Sequence, residues 1–315
     1  MNLFTHLKEI GLYRTIVYYI RKELGINKMQ EELSSLYYFL NNFTDITSLP
    51  PTKDPDLRIL QKCDTLLLGI FDKLCNKYGL TYWMDWGTLL GAIRHKGFIP
   101  WDDDTDLAML RSDYNKVIPL MKEELCQYGI DIEYVNNETL SRIGVSYKHK
   151  QTGIWIDVTP DDEFISSKKI TEVRQMLYPI LKKYRKVYKN NKEKVNEEEI
   201  WEMKKKLIFD KQDEGVKYLF TGQEFPQDVL VMEASDLLPT IRVPFDGITL
   251  SAPVQFHKYL NYLYNDSFMN YPHSGLEHHG GEGKKRPALK YWAKQNGINM
   301  EEVYNHLCHV YEKLE

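Results

Sequence analysis

Cysteine is scarce: four in 315 residues, at Cys63, Cys75, Cys126 and Cys308. No two form a Cys-x-x-Cys pair, so neither a zinc site nor a disulfide framework is expected, and a reducing compartment is. Long apolar runs are missing as well. No window approaches the roughly eighteen uninterrupted apolar residues of a membrane span. Lys8, Glu9, Arg14, Arg21 and Lys22 interrupt the apolar core that a signal peptide would need. The expectation is a cytoplasmic protein. A basic excess is the third absence. The 41 Lys and Arg against 45 Asp and Glu leave a net charge of −4, which argues against a nucleic-acid binder. At 43% hydrophobic and 27% charged residues, the chain has the composition of a soluble globular protein, with one large core or two modest ones.

Tyrosine is abundant, with 22 copies beside 6 tryptophans. Rings with a polar edge suit sugar faces and cationic headgroups, and they suit half-buried strands equally well.

Along the chain, residues 1–50 read as a helical N-terminal extension. Its basic amphipathic start suits peripheral attachment to an anionic membrane surface, or packing on the body or on a second copy. Three prolines in "SLPPTKDPD" mark the entry to a core at 51–165. There a helix from Leu57 stops at Gly79, and "LTYWMDW" reads as a strand. A short helix follows with Thr88 as its N-cap. After the strand "TDLAML", Ser112 or Asp113 opens another helix. "IDIEYV", "SRIGVSYKHK" and "GIWIDVTP" read as strands, the last two joined across "QTG". Residues 166–225 look like a charged helical insertion, nearly free of glycine. Residues 226–315 close the domain with a short strand, a helix, a glycine-rich loop and a terminal helix.

The densest chemistry lies in "IPWDDDTDLAML", residues 99–110. Carboxylates so close repel one another unless a cation sits among them. On a strand, side chains two apart share a face, so Asp104 and Asp106 project together, Asp102 extends the row and Asp103 faces away. Asp157 stands alone among Ile154, Trp155, Ile156 and Val158. An acid in such a run needs a partner, and a metal shared with Asp104 and Asp106 supplies one. Magnesium takes a few carboxylates plus water and phosphate oxygens. A calcium loop is excluded, because Leu107 and Asp113 occupy the positions that require glycine and glutamate. Gly87 and Thr88, between a strand and a helix, present a phosphate-facing turn. Arg94, His95 and Lys96 at the helix end suit either phosphate or the helix dipole. In "LEHHGGEGKKRP", His278 and His279 sit on a loop able to close over substrate, and Lys284, Lys285 and Arg286 suit phosphate.

"YWMDWGTLLGAIRHKGFIPWDDDTDLAM" resembles the signature of the LicD family of glycan phosphotransferases. "IWIDVTPDDEF", "LLPTIRVPFDGITLSAP" and "YLNYLYNDSFMNYP" resemble its later blocks. The resemblance implies an α/β (α+β) fold with a nucleotidyltransferase-like mixed sheet core. It assigns Asp104, Asp106 and Asp157 to Mg2+ or Mn2+, Asp102 as an additional acid, and Gly87 and Thr88 to phosphate. It implies a CDP-linked donor (CDP-choline or a CDP-alditol), a glycan or glycolipid acceptor and no nucleic acid. A CDP-choline donor would want an aromatic cage around its quaternary ammonium, and Trp83, Trp86, Trp101 and Trp155 lie near the acids in sequence. Two rival expectations are a nucleotidyltransferase acting on a small acceptor and a non-catalytic glycan-binding protein.

Overall fold

Asp54 and Pro55 decide where the first long helix of the core begins. In the computed structural model, described for residues 17, 21–134, 141–176, 178, 214–221, 230–272, 293 and 296–314, that helix is Pro55–Tyr78. The Asp54 carboxylate accepts the amide N–H groups of Asp56 (3.0 Å) and Leu57 (3.3 Å). Proline at the first turn loses no bond that a helix start would have made. Gly79, at φ 63°, ends it in the left-handed conformation.

Two units divide the chain. One comprises Met1–Leu49 with Met269–Gly275, the other Pro50–Phe268 with Leu276–Glu315. In the first, Gly25 at φ 67° precedes helix α1, Ile26–Phe43. The Tyr271 amide donates to Asn41 Oδ1 at 2.8 Å. The helix expected before residue 17 lies outside the described residues.

The second unit begins with α2 (Pro55–Tyr78), β1 (Tyr82–Met84), α3 (Trp86–His95), β2 (Asp106–Leu110) and α4 (Arg111–Cys126). Then come β3 (Ile130–Tyr134), β4 (Ser141–Tyr147), β5 (Lys150–Ser166), β6 (Val216–Thr221) and β7 (Leu230–Glu233). It closes with α5 (Ala234–Leu237), β8 (Ile241–Phe245), β9 (Ile248–Ala252), α6 (Phe256–Tyr264) and α7 (Met300–Lys313). The strands form a sheet ordered β1-β2-β5-β4-β3, with β6 on the far end of β5 and β7 on β6. Only β2 and β5 run parallel among these described pairs. This is the mixed α+β core that the sequence led us to expect. No helix among the described residues is long and apolar enough to cross a membrane.

Leu68, Ile70 and Phe71 on α2, Trp83 and Met84 on β1, and Val303, Leu307 and Val310 on α7 are fully buried in one core. Each such side chain contributes about 1.5–3 kcal/mol by leaving water.

Local expectations fail in four places. Asp85, not Thr88, caps α3, its carboxylate accepting the Trp86 amide at 2.8 Å. The next residue, Trp86, has φ 38°, a conformation a bulky side chain adopts only when its surroundings impose it. α4 has no side-chain cap, because β2 runs straight into it; Asp113 instead accepts the Thr81 amide at 2.9 Å. The β4–β5 turn is Lys148–His149, at φ 51° and 60°, a pair of left-handed residues suited to a tight hairpin. Gln151–Gly153 belong to β5. Val216–Thr221 is a strand rather than part of a charged helix, because Tyr218, Leu219 and Phe220 are buried there. Most of the expected insertion, 179–213, lies outside the described residues.

The C-terminal hairpin β8–β9 fastens the back of α3. At its turn, Asp246 accepts two hydrogen bonds from Arg58 on α2, both at 3.0 Å, and one from Thr65. Its amide donates to the Lys96 carbonyl at 2.7 Å. α3 itself lies so close to the returning chain that a Cβ at Gly91 would strike the Gly97 carbonyl oxygen and stand 3.0 Å from the Ile99 nitrogen. Both are backbone atoms and cannot rotate away. Gly91→Ala is therefore expected to destabilise the fold by about 1–3 kcal/mol or more, read as a lowered thermal midpoint.

Candidate active site

Strand pairing sets the first two acids. β2 opens at Asp106, which stands directly opposite Asp157 in the parallel ladder with β5. Along β5, half-buried Gly153, Trp155 and Asp157 alternate with buried Ile154, Ile156 and Val158. Asp157 thus leaves by the face turned away from the apolar core, which explains an acid inside so apolar a run. Asp106 is likewise half-buried, ahead of buried Leu107, Ala108 and Met109.

Residues 102–105 are not strand. They approach β2 as a loop held at fixed points: the Asp102 amide on the Ile99 carbonyl (2.9 Å), and the Asp157 amide on the Thr105 carbonyl (2.9 Å). Gln61 on α2 donates to the Asp102 carbonyl at 3.0 Å. In this loop, carboxylate oxygens of Asp102, Asp103 and Asp104 lie within 4.8 Å of one another. Asp103, expected to face away, turns in with the others, because period-two alternation governs only residues in the strand. Asp102 and Asp104 are buried. Burial first, then the charges of Asp104, Asp157, Asp85 and Asp102, push the Asp106 carboxyl well above the usual carboxylate range. One electrostatic field therefore links these five acids.

The α3 terminus adds groups that the sequence reading missed. Asp85 Oδ1 accepts both the Trp86 amide (2.8 Å) and the Tyr259 hydroxyl of α6 (2.7 Å). Its Oδ2 is buried with no hydrogen-bond partner. Burial raises the Asp85 carboxyl to about 6, against the lowering effect of its two hydrogen bonds. Tyr264 adjoins the same group: burial, then Asp106, Asp85 and Asp102, hold its phenol well above its ordinary value. A helix-start signature at Asp85 was readable in the sequence. Tyr259 and Tyr264 join from a distant helix, and no local pattern announces them.

The four proposed phosphate contacts have distinct environments. A Cβ at Gly87 would stand 2.8 Å from Asp102 Oδ2, so the glycine gives the Asp102 carboxylate room beside the start of α3. The Thr88 hydroxyl, 3% exposed, accepts the Asp106 amide at 2.8 Å and fixes where β2 begins. Arg94 is buried; it donates to the Phe268 carbonyl at 2.7 Å and to His95 Nε2 at 3.0 Å. Burial lowers its guanidinium to about 10, while Tyr264 and Asp102 act in the opposite sense. Lys96 is exposed at the α3 C-cap, at φ 57°. Of the four tryptophans near the acids, Trp83 is fully buried in the core and unavailable to a ligand. Trp86, Trp101 and Trp155 remain half-buried. His278, His279, Lys284, Lys285 and Arg286 lie outside the described residues.

This donor set fits a hard divalent cation. The converging groups among the described residues are carboxylates, the ligands that magnesium and manganese prefer. The unpartnered Asp85 Oδ2 is an unsatisfied buried oxygen, and after burial the four acids around Asp106 raise its carboxyl by their negative charge, which such an ion would offset.

Residues 79–209 match the family described as LicD/FKTN/FKRP, nucleotidyltransferase domain. The lipopolysaccharide cholinephosphotransferase LicD of Haemophilus influenzae is 32% identical over 138 residues, 38% of this chain and 48% of that protein. An uncharacterized protein of Rickettsia typhi is 33% identical over 123 residues, 36% of each chain. The human ribitol 5-phosphate transferase FKRP is 39% identical over 57 residues, 18% of this chain and 11% of its own. The chain thus spans less than half the length of each of these relatives.

Proposed function

We propose, from the premise that residues 79–209 are a domain of the LicD/FKTN/FKRP family, that this protein transfers a phosphorylated headgroup from a CDP-linked donor to a glycan hydroxyl. Asp104, Asp106 and Asp157 would hold magnesium or manganese. The observation that carries this reading is the placement of acids: Asp106 opposite Asp157 on adjoining strands, with Asp102, Asp103 and Asp104 converging beside them. A solvated acidic loop would not bury Asp102 and Asp104.

When bound, the cation supplies positive charge for the donor diphosphate and the departing CMP. The chain's own residues set the geometry. Thr88 fixes the backbone of Asp106, Asp85 and Tyr259 fix the entry to α3, and Gly87 leaves space for Asp102. In this reading the start of α3, with Arg94 and Lys96 further along it, receives phosphate oxygens. A sugar hydroxyl attacks the phosphorus that bears the headgroup. A new oxygen–phosphorus bond forms, the bond to CMP breaks, and Asp157 or Asp102 accepts the hydroxyl proton.

Phosphocholine is the preferred headgroup. Of the three relatives, the one aligned over the longest stretch is named for it, and Trp86, Trp101 and Trp155 offer half-exposed rings for a quaternary ammonium. Ribitol phosphate is the alternative suggested by the human relative. Action in the cytoplasm, at the inner face of the membrane, on a glycan or glycolipid acceptor completes the proposal. A second reading, nucleotidyl transfer to a small acceptor, rests on the domain's description and uses the same acids.

The test is incubation with CDP-choline, CDP-ribitol and CDP-glycerol separately, with and without magnesium, scoring CMP. Magnesium-dependent CMP from one donor is expected, with CDP-choline the most active. Pyrophosphate released from CTP, with no CMP from any of the three, would favour the nucleotidyltransferase.

A further inference from the structure

Helix α2 lies outside the matched segment 79–209, yet one of its faces meets the acids. Gln61, 1% exposed, donates to the Asp102 carbonyl at 3.0 Å. One turn further on is Asp64, also 1% exposed. Its Oδ1 is buried without a hydrogen-bond partner. After burial itself, the strongest influences on this carboxyl are Asp104, Asp103 and Asp157, in that order. Asp64 thus lies one turn from Gln61 on the side of α2 that meets the acidic loop at Asp102, with a buried carboxyl oxygen that nothing satisfies.

Around it α2 buries Leu60, Leu67 and Leu68 together with Gln61 and Thr65. The two polar neighbours bond Asp102 and Asp246, whereas Asp64 Oδ1 bonds nothing. An unpartnered buried carboxyl costs free energy, and like charges facing it raise that cost. A leucine would serve the packing better. What Asp64 can do, and a leucine cannot, is supply an oxygen donor at the inner side of a cation.

We propose that Asp64 is a further carboxylate of the cation site, contributed by the face of α2 that meets the acidic loop at Asp102. The proposal rests on the cation reading above. It extends the site beyond the acidic motif to a helix some forty residues upstream.

The experiment uses the full chain and Mn2+ alone, with binding followed by calorimetry and the thermal midpoint recorded in the absence of cation. Asp64→Asn is expected to weaken Mn2+ binding by about tenfold or more, the scale found when a group supporting a metal site is lost. Its cation-free midpoint should match that of the unmodified protein, since asparagine has the same shape and Asp64 Oδ1 makes no hydrogen bond that would be lost. Asp64→Asn binding Mn2+ with undiminished affinity would overturn the proposal and leave the cation reading standing. Asp106→Ala is the control for that reading. If it also binds Mn2+ normally, or if the unmodified protein binds none, the cation reading fails and takes the proposal with it. Should Asp64→Asn not fold, Asp64→Ser is measured in the same way. If neither folds, Asp64 is a structural residue and the proposal is wrong.

Discussion

Asp106→Ala will lower magnesium-dependent CMP release by at least about 100-fold, because loss of even an outer partner of a metal ligand costs 10–100-fold. The fold should survive the change. The bonds that seat residue 106 are made by its backbone, its amide to the Thr88 hydroxyl at 2.8 Å and its carbonyl from the Asp85 amide at 3.0 Å. Removing the side chain leaves both in place. It also removes a carboxyl that burial and four neighbouring acids disfavour as an anion. The variant's cation-free thermal midpoint should therefore match or exceed that of the unmodified protein, while magnesium raises it less. Activity and midpoint measured on one preparation decide the matter. Less than a tenfold loss of turnover would remove Asp106 from the ligand set. A collapsed midpoint would make its role structural.

Without cation, the protein will lose stability as pH rises through about 6, the value to which burial raises the Asp85 carboxyl. The sign follows from linkage. A raised carboxyl contributes stability that is fully present below its unfolded value of 3.8 and is lost as pH climbs through about 6. Asp106, pushed in the same direction, adds to the loss. A shift of about two units on a fully buried group corresponds to about 3 kcal/mol over the whole window. Roughly half of it, about 1.4 kcal/mol, falls between pH 5 and pH 7.5, or about 3–6 °C of midpoint in a domain of this size. Thermal denaturation in a chelating buffer at pH 5 and pH 7.5 measures it. Two controls isolate the cause. Asp85→Asn, which keeps an acceptor for Tyr259 and Trp86, should flatten the dependence, and excess magnesium should restore the midpoint at pH 7.5. A cation-free protein equally stable at both values would show that these acids are not held as strained neighbours.

Much of the acid placement was legible because it rests on local rules. Asp157 obeys the two-residue period of strands, alternating with buried Ile156 and Val158. β2, by contrast, is buried on both faces after Asp106, and its pairing with β5, not its own pattern, sets Asp106 opposite Asp157. Gly79 as a stop for α2 was equally readable, since a left-handed residue there needs glycine. Asp103 was misread because the period was extended backwards into a loop that does not obey it. Thr88 was misread as a cap because its hydroxyl bonds β2, eighteen residues away, rather than its own helix. The β6 strand was lost in a charged neighbourhood, where composition outweighed the short apolar run of Tyr218, Leu219 and Phe220.

By itself, the sequence determined the acidic motif, its resemblance to a family, the mixed fold class and the helix and strand periods that carry the acids, because all of these are written in spacings of a few residues. Tertiary structure alone decided which distant groups meet them. Tyr259 and Tyr264 arrive from α6, and Gln61 arrives from α2. No local period constrains where a helix packs, so these meetings depend on the burial of apolar faces across the whole unit.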